Sequence, residues 1–244
     1  MTARLDSSAP HLVGPAQYAG PLKDWGHQPN PISGNSKSDG VLLHKGSGGQ
    51  PEVGLWQCTP GTWPLDIPRD ELCHFVSGRA TYTHQSGEVI EIMPGTVVLF
   101  PAGWTGICTV HETMRNVYML SCDMTFTAQS SAPRLADPAN YPGPFKDWGV
   151  IPTMIEGESR TSGVVIYRRP NGESETGIWM CTPGYWNCHV TSDEFCHFLL
   201  GRCTYTHESG EVIEIVPDTV AFFPKDWKGT CRVHETIRKV YMIR

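Results

Sequence analysis

A chain of 244 residues, 39% hydrophobic and 18% charged, has enough apolar material for a folded core, and its net charge of −6 excludes nucleic acid and anionic membrane as main partners. No basic run, no apolar stretch of membrane-spanning length and no signal-type apolar segment in residues 1–15 occurs, so a cytoplasmic protein is expected. The nine cysteines are odd in number and lack a Cys-x-x-Cys pair, which reads as reduced thiols rather than a disulfide framework.

Short β-type runs follow one another at 54–58, 72–76, 80–84, 89–92, 96–100, 107–111 and 116–120. Turn signals stand between them: Thr59-Pro60-Gly61, Ser86-Gly87, Pro94-Gly95 and Pro101-Ala102-Gly103. No window of helical length carries a 3.6-residue apolar period. The series then returns. Residues 1–121 align without a gap on 124–244 at the constant offset that separates Trp56 from Trp179, and all eight tryptophans form pairs: Trp25/Trp148, Trp56/Trp179, Trp63/Trp186 and Trp104/Trp227. Two domains, 1–121 and 124–244, are therefore expected, with Cys122 and Asp123 left over. Many short strands with Gly/Pro turns predict an all-β sandwich or small barrel in each. Residues 121–140 look like a linker, but Ser130-Ser131-Ala132-Pro133 repeats Ser7-Ser8-Ala9-Pro10, which makes the segment the lead-in of the second unit. The stretch 20–26, repeated at 143–149, is expected to pack on a barrel.

Glu71 is followed after six residues by Gly78, and Gly95 by Pro101 and Gly103, a spacing that resembles the two motifs of the cupin superfamily, the double-stranded β-helix barrels. The runs Gly-Leu-Trp-Gln-Cys-Thr-Pro-Gly at 54–61, Asp-Glu-Leu-Cys-His-Phe at 70–75 and His-Glu-Thr-Met-Arg at 111–115 are similar to the cupin subfamily grouped with (S)-ureidoglycine aminohydrolase. They recur at 177–184, 193–198 and 234–238. The resemblance implies two tandem barrels. It also implies a metal site of three histidines and the glutamate, and most of that set is missing. Five residues before the glutamate stand Asp66 and His189, seven before it Pro64 and Asn187, and at the third histidine position Gly106 and Gly229. The stretches 62–69 and 185–192 share only the tryptophan, so the two pockets no longer do the same job.

Strand alternation groups Glu71, Cys73 and Phe75 on one face, and Gly106, Cys108 and Val110 on another. If Glu71 points inward, as the resemblance implies, each barrel has a Glu/Cys/Cys interior, and the second adds His189. One expectation is a divalent transition metal, Mn, Fe, Ni or Zn, in the second barrel on His189 and Glu194, with Cys196, Cys231 or Asn187 as further donors. The other is no metal, with Glu71 and Glu194 in ion pairs inside the barrels. Trp63 and Trp186 are the best aromatic candidates for a substrate pocket, with Tyr82/Tyr205 and Phe75/Phe198 as barrel filler. His74/His197 belongs on the opposite face, His84/His207 on the surface, and His111/His234 and Arg115/Arg238 among structural polar residues.

These residues suggest an enzyme acting on a small polar, ureide-like metabolite by hydrolysis, elimination or isomerisation. Glu194 would serve as metal ligand or general base and His189 as ligand or acid/base partner, with Asp66 and Glu71 the pair for any first-barrel reaction. A non-catalytic metabolite-binding bicupin without a metal is the competing expectation. A homodimer through the sheets is compatible with either.

Overall fold

The computed structural model describes residues 3–121, 132–169, 172 and 174–244. Cys122, Asp123, Ser130 and Ser131, singled out by the repeat, lie outside the described residues. Strands dominate, joined by tight turns, and among the described residues no helix is long and apolar enough to cross a membrane. The chain forms two compact units: Pro15–Asp137, and Met1–Gly14 together with Pro138–Arg244.

In the first unit, antiparallel strands run in the order Arg134–Leu135, Val97–Phe100, Glu71–His84, Trp104–Leu120, Glu52–Cys58, Lys37–Lys45, Lys23–His27. Gly61–Ile67 adds to the early half of Trp104–Leu120, and Val89–Ile92 to the late half of Glu71–His84. The two long strands each merge a pair of expected short ones. Their shared register slips near Val110, Glu112 and Arg115, so the ribbon bends from one wall of the barrel to the other without a break. Gly78 sits at that bend with φ +79°, where a β-carbon would lie 2.4 Å from Met114. Gly201 holds the same place in the second unit with φ +77°.

The second unit repeats this order, from His11–Val13 through Thr219–Phe223, Glu194–His207, Lys228–Ile243, Glu175–Cys181 and Arg160–Arg168 to Lys146–Val150. Each unit is a double-stranded β-helix. The stretch repeated at 20–26 and 143–149 does pack on a barrel, as edge strands paired with Lys37–Lys45 and Arg160–Arg168.

Alternation along the strands fills each barrel. Cys58, Trp63, Cys73, Phe75, Tyr82, Phe100, Trp104 and Cys108 form the core of the first, with the matching residues in the second. Ala132 belongs to the first core and Ala9 to the second. Arg115 ties the lead-in to the first barrel by donating to the backbone carbonyls of Pro15, Ala16 and Tyr18, and Arg238 does the same to Pro138, Ala139 and Tyr141. The structural role expected of these arginines is met by charge-assisted bonds to the lead-in backbone.

Candidate functional site

Each barrel encloses a cavity, of about 280 Å³ in the first and about 350 Å³ in the second. Six wall positions carry the same residue types in both. Trp25, Glu52, Trp56, Trp63, Glu71 and Tyr118 line the first, and Trp148, Glu175, Trp179, Trp186, Glu194 and Tyr241 the second. Tyr82 and Tyr205 line them as well. Trp25 and Trp148 reach the cavities because their rings lie over Gly40 and Gly163.

One carboxylate in each cavity is already neutralised. Glu52 accepts from the Tyr118 hydroxyl at 3.0 Å and pairs with Lys45 at 2.7 Å. Glu175 takes the same two roles with Tyr241 and Arg168. The other carboxyl is where the barrels part. Lys239, 5% exposed, donates from Nζ to Glu194 Oε1 at 2.7 Å and to Cys196 Sγ at 3.2 Å. Its ammonium also lies 4.8 Å from the Trp179 ring centroid and 5.6 Å from that of Phe198. The first barrel has Asn116 at this place. Asn116 Nδ2 donates to Cys73 Sγ at 3.5 Å, and Cys73 donates to Glu71 Oε1 at 3.2 Å.

These partners set the charges. Burial works to strip the proton from Lys239, but the Cys196 sulfur and the Glu194 carboxylate outweigh it and hold the ammonium above the usual lysine range. Burial pushes the Glu71 carboxyl up, against the smaller opposing effects of the Cys73 thiol and Arg69. Burial also pushes the Cys58 thiol up to about 11 and those of Cys181 and Cys188 up to about 12, and raises Cys73, Cys108, Cys196 and Cys231. These groups are thiols at neutral pH and supply no thiolate nucleophile.

The residues expected at the site divide sharply. Glu71, Glu194, Trp63, Trp186 and Tyr205 line the cavities; Cys196 is bonded to Lys239. Cys231 is fully buried opposite Trp186 and Tyr205 in the ladders, outside the cavity lining. His189 follows Cys188 on its strand, so it turns outward to the cavity rim, where its ring lies 3.4 Å from Asp226 with its side chain 49% exposed. Asp66 is exposed on the matching strand and is not brought together with Glu71. His84 corrects an expectation: it is buried against Trp104, with ring centroids 5.3 Å apart, rather than lying on the surface. His197 is buried as well and meets Asp218 at 2.9 Å.

The donors do not fit the metal site of a metal-binding cupin. Among the described residues no group of three His, Cys, Asp or Glu side chains converges. His189 and Glu194, expected to share an ion, are engaged with Asp226 and Lys239 instead. The third ligand position is closed by packing. A β-carbon on Gly106 would stand 2.2 Å from the Thr83 carbonyl oxygen and 2.8 Å from the Trp104 ring. On Gly229 it would meet Thr206 and Trp227 at 2.1 and 2.7 Å.

Sequence reasoning missed Lys239, Glu52/Glu175, Tyr118/Tyr241 and the cavity role of Trp25/Trp148. One signal was present. Asn116 and Lys239 differ inside an otherwise identical Val-Tyr-Met context, an exchange of amide for ammonium in a buried strand.

Among solved structures, a protein of unknown function from Pseudomonas syringae pv. tomato, of the DUF861 family, superposes with a TM-score of 0.77 at 12% identity, covering 97% of this chain and 99% of its own. A putative glyoxylate-induced protein from Pseudomonas aeruginosa follows at 0.61, with 13% identity and coverage of 99% and 91%. The Ylba protein of E. coli, also of the DUF861 family, gives 0.56 at 9% identity, with coverage of 96% and 90%. Such identities speak for the fold alone. No curated protein matches the sequence. The EutQ-like cupin domain model matches twice, at 45–118 and 168–241, more than half of the chain and in the same register as the repeat. The chain belongs to the EutQ-like cupin family, as a bicupin with one such domain in each half.

Proposed function

We propose that the second barrel is the working site of a small-molecule enzyme that acts on a polar, nitrogen-rich metabolite by acid–base chemistry, without recruiting a metal. The observation that carries this reading is the Lys239–Glu194 pair, at 2.7 Å, on the wall of a cavity large enough for a compact metabolite. Glu194, hydrogen-bonded to the Lys239 ammonium, is the group placed to act as general base. Lys239 is a fixed cation placed to stabilise negative charge that develops on the substrate. His189 stands at the rim of the cavity, half exposed. The carboxylates favour ligands rich in N–H donors. A ureide-like compound meets that demand, in keeping with the resemblance of 177–184, 193–198 and 234–238 to the (S)-ureidoglycine aminohydrolase group. Elimination and isomerisation draw on proton transfer at these groups, and hydrolysis adds a solvent water as the nucleophile.

A second reading, binding without chemistry, draws on the same pair: Lys239 and Glu194 are closed on each other, and the surrounding cysteines are protonated. Incubation with a panel of ureides and small amides, followed by proton NMR for product and by calorimetry for binding, separates the two. Product that disappears in both Glu194→Gln and Lys239→Met supports the enzyme; saturable heat without product supports the binding protein. Turnover at the wild-type rate in Glu194→Gln, or a near-stoichiometric transition metal in protein purified without chelators, overturns the metal-free acid–base mechanism.

A further inference from the structure

We propose that the first barrel is a binding site for a small primary alkylammonium ion, which takes the place that the Lys239 side chain fills in the second. The tryptophan, tyrosine and glutamate positions of the two walls match, and the one exchange among them that alters charge is Asn116 for Lys239. Lys239 stands opposite Trp179 and Phe198 in its ladders, and Asn116 stands opposite Trp56 and Phe75 in the matching register. The second barrel thus carries its own cation, seated on an indole face and bonded to a carboxylate and a thiol. Replacing lysine by asparagine keeps the indole, the carboxyl of Glu71 and the thiol of Cys73, and removes the ammonium they would surround.

Asn116 adds an independent sign. It is 2% exposed and lines the cavity, and its Oδ1 is buried with no hydrogen-bond partner among the described residues. A buried acceptor of this kind costs free energy until a donor reaches it. Glu71 is in a similar position, since burial raises its proton affinity and no cation bonds to it among the described residues. A primary ammonium has three N–H donors, enough for Asn116 Oδ1 and Glu71 while its positive charge rests against Trp56. Leu65 and Ile67, where the second barrel has Cys188 and Val190, give that side of the first cavity aliphatic surface for the alkyl body, while Gln28 stands where the second barrel has Ile151. The cavity of about 280 Å³ limits that body to a few carbons.

Titration calorimetry of the full chain with n-butylammonium chloride, against a sodium chloride blank and against n-butanol, tests the assignment. One site per chain with a dissociation constant on the order of 1 mM is expected, with n-butanol bound far more weakly. Asn116→Lys, which supplies the cation internally, should abolish the heat, and Glu71→Gln should weaken binding about tenfold while keeping the cavity's shape. Lys239→Asn should open a second site. Glu194→Gln should leave the first-barrel isotherm unchanged, so a failure of the second-barrel reaction does not bear on this one. No heat at tens of millimolar, equal binding of n-butanol, or unchanged affinity in Glu71→Gln would each overturn the proposal.

Discussion

The two cavities share their tryptophans, tyrosines and glutamates and differ in one decisive side chain, Asn116 against Lys239. A duplicated barrel tolerates many exchanges at its surface, but this one changes the charge of a closed space. In the second barrel the buried carboxylate is matched by an ammonium within hydrogen-bond distance; in the first it leans on a thiol and takes up a proton more readily. The same scaffold therefore holds one buried carboxyl paired with an internal ammonium and one, Glu71, that no cation bonds among the described residues.

Removing the cation should have the largest effect. Lys239→Met leaves Glu194 buried opposite no charge and is expected to cost about 3 kcal/mol in urea denaturation, whereas Asn116→Met should cost under about 1 kcal/mol. Equal losses would erase the distinction between the barrels. Next come the shared glycines: Gly106→Ala and Gly229→Ala should each cost about 2 to 3 kcal/mol, because backbone and a tryptophan ring occupy the space of the new methyl. Here the barrels should agree, and disagreement would mean that the tryptophans are not equivalent supports.

The third comparison is made by pH. The folded-state pKa of Glu71 lies above its unfolded value, so its contribution to stability is greatest below the unfolded pKa and is lost as pH rises through the folded one. Glu71→Gln removes that loss and should leave stability at neutral pH unchanged or higher by about 1 kcal/mol, while Glu194→Gln, which leaves Lys239 without its carboxylate, should lower it by about 2 kcal/mol. Thermal unfolding between pH 4 and 8 would show a flattened profile for the first variant alone. The smallest effect belongs to the rim: His189→Ala and Asp66→Ala should each change stability by less than about 0.5 kcal/mol, since one is in an exposed pair and the other is exposed. A large loss in His189→Ala, accompanied by a change in bound metal, would restore a ligand role to this histidine.

Much of the fold was legible because alternation and turn chemistry act locally. The strand Val89–Ile92 is bounded by Ser86-Gly87 and Pro94-Gly95, and it forms as those signals predict. The Lys37–Lys45 strand carries Asp39, Gly40 and Lys45 among its apolar residues, and its pattern is too broken to announce itself. The site was legible only where one strand sufficed, as with Glu71 and Cys73. The cavity wall is completed by Trp25, Glu52 and Tyr118, brought in by pairing across strands far apart in sequence, and local periodicity carries no information about such pairing. His189 illustrates the opposite error: its spacing from Glu194 suits a ligand, but alternation after Trp186 and Cys188 turns it outward.

The strand His11–Val13 lies beside Thr219–Phe223 in the sheet of the second unit, and Ala9 sits in that unit's core. This barrel is thus assembled from both ends of the described chain, whereas Pro15–Asp137 is continuous. During synthesis the continuous unit can close as soon as its own residues emerge, while His11 must wait for Ala221 before it has a partner. The barrel that holds Lys239 is therefore the late one to be completed. A cut between Gly14 and Pro15 would separate a strand from this barrel and leave the other chain-continuous.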